Sequence, residues 1–125
     1  MVDQIKIFIE LPHARLWSNR NTHWRVKAPL IKKYRYLAYR AMNFEMARLN
    51  ETGWQRGKLS MNFFFKDRRR RDVYNAAQAM KAGIDGCIDA GILPDDDWQH
   101  LEGGGLTGSV DKENPGVFLI FDRLG

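Results

Sequence analysis

Residues 5–11, IKIFIEL, alternate strictly. Ile5, Ile7, Ile9 and Leu11 fall on one side, and Lys6, Phe8 and Glu10 on the other. A period of two belongs to a strand with one buried face, and a slip of one residue would move every isoleucine into water. The chain therefore needs a sheet and something packed on one side of it. The same period returns in KLSMNFFFK, residues 58–66, with Leu59, Met61, Phe63 and Phe65 inward. Between these stretches, over residues 30–49, Ile31, Tyr34, Ala38, Met42, Met46 and Leu49 recur three and four apart. Lys32, Arg35, Tyr36, Arg40 and Asn43 fall on other faces, which predicts a long amphipathic helix ended by ETGWQRG.

A second helix is predicted over residues 75–90, with Asn75 as its cap and Gly91 as its terminator. Its core stripe reads Val73, Ala77, Met80, Ile84 and Ile88. Its polar stripe reads Tyr74, Gln78, Lys81, Asp85 and Asp89, in which Lys81 and Asp85 stand one turn apart. Gly83 and Gly86 each cost this helix about 1 kcal/mol against alanine unless close packing demands them. Beyond the turn-like LPDDDW lies the Gly-rich LEGGGLTGSV, a strand or hairpin arm. NPG makes a turn, and VFLIFDR closes as a buried strand. The order strand, helix, strand, helix, strand, strand predicts an α+β fold, residues 1–125 forming one domain with a mixed β-sheet and two main helices packed on it.

A chain of 125 residues can bury a core without disulfide or metal staples. Cys87 is the only cysteine, which excludes an internal disulfide framework and a zinc knuckle, and with Ile84 and Ile88 beside it the residue reads as core. The apolar run from Val117 to Phe121 is far too short to span a bilayer. The opening residues carry neither a basic region nor an apolar signal core, so a cytoplasmic protein without membrane association is expected. A net charge of +5 favours an acidic partner, nucleic acid or an anionic membrane surface. The basic groups crowd the first third, at Arg15, Arg20, Arg25, Lys27, Lys32, Lys33, Arg35 and Arg40, whereas Asp95, Asp96 and Asp97 cluster late.

Residues 67–75, DRRRRDVYN, join the second strand to the second helix. Arg68, Arg69, Arg70 and Arg71 are either a solvated face or a grip on a polyanion, with Asp72 carrying the chemistry. If the sheet returns the chain after Pro94 beside Asp72, the late aspartates and Asp72 would offer oxygen ligands to a hard cation such as Mg²⁺. Lys81 would then stabilise charge on a phosphate under attack. Taken singly, PDDDW is a common turn, Asn75 a cap, Asp85 a partner for Lys81, and His23 a surface or packing residue.

DRRRRDVYN followed by KAGIDGCIDAGILPDDDW resembles the RusA-type Holliday junction resolvases of bacteria, prophages and phages, in the branch seen in phages of actinobacteria. The matching positions are the arginine approach to Asp72, then Asn75, Lys81, Asp85, Ala90, Gly91, Asp95 and Asp96. WSNRNTHWRVKA resembles that family's Ser-Asn loop and first basic helix, so the likeness covers nearly the whole chain. It implies a homodimeric endonuclease that depends on Mg²⁺, with Mn²⁺ as a substitute, acts on branched DNA, and needs no small-molecule cofactor beyond the metal. Carried onto this chain, it implies Asp72, Lys81 and Asp96 as catalytic residues, and Asp72, Asp95, Asp96 and Asp97 as metal ligands. Asn75 and Asp85 would support them. Arg68 to Arg71 would bind DNA with Asn19, Arg20, Asn21, His23, Arg25 and Lys27. Two departures stand out. Tyr74 occupies the place of a second family aspartate, and three more residues than usual separate Asn75 from Lys81, close to one helical turn. A junction-binding protein that has lost cleavage, and an unrelated basic RNA-binding protein, are the other classes consistent with the chain.

Overall fold

The computed structural model describes residues 2–17 and 23–125. Its elements are β1 (Gln4–Ile9), a 3-10 turn (Ala14–Leu16), α1 (Trp24–Arg48), β2 (Gly57–Phe65), α2 (Val73–Ala79), α3 (Lys81–Asp89), β3 (Leu101–Val110) and β4 (Gly116–Arg123). The four strands form one mixed sheet in the order β1-β4-β2-β3. β4 lies antiparallel to both β1 and β2, whereas β3 runs parallel to β2. A parallel neighbour requires a crossover, which α2 and α3 supply. The α+β expectation of one mixed sheet with packed helices holds.

One face of the sheet is the core. Ile5, Ile7 and Ile9 of β1, Leu59, Met61, Phe63 and Phe65 of β2, and Val117, Leu119 and Phe121 of β4 are all buried on it. α1 presents Tyr34, Ala38, Met42 and Met46 to the same core, a stripe repeating every four residues. Leu11 lies beyond the end of β1 and is only half-buried, and Ile31 is exposed, so these two expected core positions belong to the margin. α1 also begins earlier than its periodicity predicts. His23 has an extended backbone and its Nδ1 accepts from the Arg25 N–H at 3.1 Å, a side-chain cap that starts the helix ahead of Pro29. Pro29 has no N–H to give the Arg25 carbonyl, and at this exposed end water can take that bond.

The second predicted helix is two. It breaks at Met80, and its cap is Asp72 rather than Asn75. Of the predicted stripe, only Met80 is fully buried; Ala76, Ala79, Ala82, Gly83, Gly86 and Cys87 take the interior, and Val73, Ala77, Ile84 and Ile88 are half-buried. Small residues are inside because α3 lies directly against α1. A Cβ on Gly86 would overlap the Arg35 carbonyl oxygen and sit 2.9 Å from both the Ala38 Cβ and the Tyr39 nitrogen. Gly91 ends the unit as expected, with φ of 96°, a conformation that favours glycine. Cys87 is buried in the core, and burial pushes its thiol pKa upward.

The two helices are also clamped from outside. Arg35 donates through Nε to Asp89 Oδ2 at 2.6 Å and through Nη2 to Asp89 Oδ1 at 2.8 Å, a bidentate pair that accounts for one basic residue of α1 and one acid of the polar stripe. Beneath it, the Tyr34 hydroxyl donates to the Glu10 carbonyl oxygen at 2.8 Å and lies 3.3 Å from Met80 Sδ, tying α1 to the chain after β1 and to the α2–α3 break. No helix among the described residues is long and apolar enough to cross a membrane.

Candidate nucleic-acid interface and acidic site

β2 ends at Phe65, and the arginine run that follows it divides into two kinds of residue. Arg71 Nη1 donates to the Asp67 carbonyl oxygen at 2.8 Å and the Arg69 carbonyl oxygen at 2.9 Å, pairs with the Asp67 carboxylate at 2.8 Å, and has its guanidinium 4.7 Å from the Phe65 ring centre. Asp67 also accepts from the Arg69 N–H at 3.0 Å and lies 3.6 Å from the Arg69 guanidinium. That hydrogen bond, with the Arg71 and Arg69 charges, holds the Asp67 carboxyl below the usual carboxylate range. Arg71 and Asp67 thus build the loop. Arg68 and Arg70 are exposed and have no carboxylate within ion-pair distance among the described residues.

The loop leads into Asp72, whose Oδ1 accepts from the Tyr74 N–H at 2.8 Å and the Asn75 N–H at 3.4 Å. Aspartate suits this position because an ionised side chain satisfies otherwise unbonded amides of a helix's first turn. Around it lies an open cleft of about 300 Å³ lined by Trp17, Arg70, Arg71, Asp72 and Asn75. A neighbouring cleft of about 370 Å³ shares Trp17, Arg70 and Arg71, and adds Leu11, Pro12, Ala14, Phe65, Lys66, Arg69 and Pro115. Arg68 lines a third depression on the β3 side, with Val73, Gly108 and Ser109. Trp17 was not among the sequence-derived site residues. It follows a 3-10 turn anchored by buried Leu16, and a tryptophan abutting the Ser-Asn loop was the available signal.

The late aspartates go elsewhere. Asp96 forms an ion pair with Lys81 Nζ, which also donates to Asp85 Oδ1 at 2.8 Å. These bonds, to Asp85 first and Asp96 second, raise the Lys81 pKa and favour its charged form. Asp95 Oδ1 accepts from the Asp96 N–H at 2.7 Å. Asp97 Oδ1 accepts from the Gln99 and His100 amides at 3.1 and 3.2 Å and meets His100 Nδ1 at 2.7 Å, which makes it the brace of the turn into β3. The expected pocket shared by Asp72 and these aspartates is not assembled. Among the described residues, no three acidic, histidine or cysteine side chains converge where one ion could be held. Each of these carboxylates has a local amide or ammonium as its partner. Lys81 opens α3, beyond the break at Met80, and is not among the residues that line the Asp72 cleft.

Of the amino-terminal DNA-binding candidates, Asn19, Arg20 and Asn21 lie outside the described residues. His23 caps α1. Arg25 is exposed, with its guanidinium 5.6 Å from the ring centre of exposed Trp24, and Lys27, two residues on and on another face of the helix, is half-buried. The first turn of α1 contains no acidic residue. Tyr74 is 71% exposed, so an acid there would reach solvent freely.

No family model matches the chain, and no curated protein sequence shows significant similarity to it.

Two measurements check this reading. Arg68→Ala and Arg70→Ala are each expected to make the slope of log affinity for DNA against log salt shallower by about 0.9, with folding unchanged. Arg71→Ala is expected to lower the melting temperature instead, because it removes the loop's internal bonds. Equal salt effects from all three would remove the division. The second concerns pH. Lys81 holds the Asp96 carboxyl below the usual carboxylate range, so Asp96 contributes stability above its unfolded pKa of about 3.9 and loses it as pH falls through the lower folded value. The contribution is small, since Lys81 is largely exposed. Asp96→Asn should therefore melt slightly below wild type at pH 7, with the difference closing below about pH 4. A difference that persists at pH 2 would exclude the ion pair as its cause.

Proposed function

We propose that this chain is a metal-dependent endodeoxyribonuclease of the RusA-like kind, resolving four-way junctions in DNA recombination and repair by paired phosphodiester hydrolysis. The observation that supports it best is the cleft in which the Asp72 carboxylate stands with Arg70, Arg71 and Asn75. A nuclease needs positive charge to hold a polyanion and an acid close enough to act on it, and a bare carboxylate would repel phosphate. The cleft has both.

Magnesium usually keeps several waters and binds through one or two carboxylates plus substrate phosphates. Asp72 fits such a site as a single protein ligand, exposed and with only Oδ1 engaged by α2. When bound, the ion would draw charge from the phosphate and acidify a water. The chain's own residues do the rest. Arg70 holds the phosphate in the cleft, Arg71 and Asp67 keep the loop in shape, and Asn75 stands beside Asp72 on the first turn of α2. Lys81, paired with Asp85 and Asp96, would stabilise charge on the phosphate only where one of those carboxylates releases it. Asp95, Asp96 and Asp97 enter as ligands only if they leave their present partners. A homodimer, in the cytoplasm of a bacterial or phage-infected cell, would set two such clefts across a junction with two equivalent strands.

A second reading is a junction-binding protein without cleavage. Tyr74 in place of the family aspartate, together with the absence of a converged acidic trio among the described residues, favours it. The deciding experiment incubates purified protein with a synthetic four-way junction in Mg²⁺ or Mn²⁺. Paired nicks, not seen on linear duplex, support the nuclease. Tight junction binding without nicking by wild type, and nicking by Tyr74→Asp, selects the second reading. Equal competition by RNA rejects both.

A further inference from the structure

We infer that the cleft between Trp17 and the arginine run accepts one unstacked nucleotide of the bound strand, with Trp17 as the residue that recognises its base. The inference rests on the DNA reading above and adds a determinant of specificity to it.

The cleft is about half apolar, where phosphate binding alone would need no apolar surface. Leu11, Trp17, Phe65 and Pro115 line it together with Lys66, Arg69 and Arg70. Phosphates on a duplex are met by cations on an open surface, whereas a hollow of about 370 Å³ has the size of a small-molecule site. Mixed lining of this kind suits a nucleotide, whose base prefers an aromatic or apolar wall and whose phosphate prefers arginine. The hollow also does not end blindly. It adjoins the Asp72 cleft, since Trp17, Arg70 and Arg71 line both. A polymer strand can occupy the two together, with a base beside Trp17 and the neighbouring phosphate facing Asp72. Trp17 is half-buried and packs against the core, so its ring is held in place before DNA arrives. A preorganised ring stacks at lower entropic cost than a mobile one. Taking a base out of the stack costs least where it is unpaired or mismatched, so an unpaired nucleotide at a branch point is the natural probe of such a site.

The test compares four-way junctions carrying, at the branch point, either one unpaired dT or an abasic residue, with binding followed by anisotropy in Ca²⁺. Wild type should bind the dT junction about five-fold or more tightly than the abasic one, the lower range of base–aromatic stacking. Trp17→Ala should bring the ratio close to one without changing the salt slope, and Trp17→Phe, which keeps most of the packing, should retain part of it. Equal affinities for dT and abasic junctions in wild type, or an undiminished ratio in a folded Trp17→Ala protein, would overturn the inference. The same pair of substitutions in single-stranded oligonucleotides separates it from the functional reading. A dT preference there, without preference for junctions over linear duplex, would reject junction recognition and keep the nucleotide site.

Discussion

Asp72→Asn is expected to lower the rate of metal-dependent junction cleavage by roughly a hundred-fold or more, while leaving the melting temperature and the far-ultraviolet spectrum unchanged. On the proposed function two roles meet in this side chain, a helix cap and a catalytic acid, and asparagine separates them. Its oxygen can still accept from the Tyr74 and Asn75 amides, and asparagine is as good a helix cap as aspartate, so α2 keeps its start. What it loses is the negative charge. Junction affinity should therefore stay equal or rise, because one charge that repels phosphate is gone. Asp72→Ala removes both roles and should in addition cost about 1 kcal/mol of stability. Cleavage by Asp72→Asn at the wild-type rate would leave Asp72 as a cap alone, and would shift the search for a catalytic acid to the Lys81–Asp85–Asp96 group.

Gly86→Ala is the second substitution with a large expected effect, and its sign is the informative part. At an exposed helical position, alanine in place of glycine stabilises by about 1 kcal/mol. Here the added methyl would meet the Arg35 carbonyl oxygen and stand 2.9 Å from both the Ala38 Cβ and the Tyr39 nitrogen, backbone and short side chain that cannot swing aside. α1 and α3 would have to separate, at a cost of about 1–3 kcal/mol in urea unfolding. The separation should also weaken the Arg35–Asp89 clamp, so that combining Gly86→Ala with Asp89→Asn costs less than the sum of the two. Stabilisation by Gly86→Ala would show that the helices do not approach as closely as described.

The local rhythm of the chain was sufficient for its framework. Alternation in residues 5–9 and 58–65 determined which side chains face the core, because a strand's period of two leaves no freedom once one face is buried, whereas in the all-apolar run 117–121 the pairing of β4 with β1 and β2 chose Val117, Leu119 and Phe121. The four-residue recurrence from Tyr34 to Met46 did the same for α1, and Gly91 marked the end of α3 through the backbone conformation it alone tolerates well. Lys81 and Asp85 were legible as a pair, since one helical turn is a fixed distance.

Tertiary structure decided what depends on groups distant in the chain. The inward face of α2 and α3 went to alanine and glycine rather than to Ile84 and Ile88, because α1 comes too close for larger side chains. His23 began α1 before Pro29 through a cap that hydrophobic periodicity does not register. Asp85 and Asp89 were drawn to Arg35, fifty and fifty-four residues earlier. Asp72 went to the amides of α2, Asp96 to Lys81 and Asp97 to the amides of the turn before β3, so the acids that a linear reading gathers into one metal site have separate partners. The arginine run divided for the same reason: Arg71 found Asp67 and the Phe65 ring, while Arg68 and Arg70 found no carboxylate among the described residues. Charge pattern alone specifies which partners are possible. Only the packed backbone sets the distances that choose among them, since Coulomb attraction and hydrogen bonding act within a few ångströms that sequence separation does not encode.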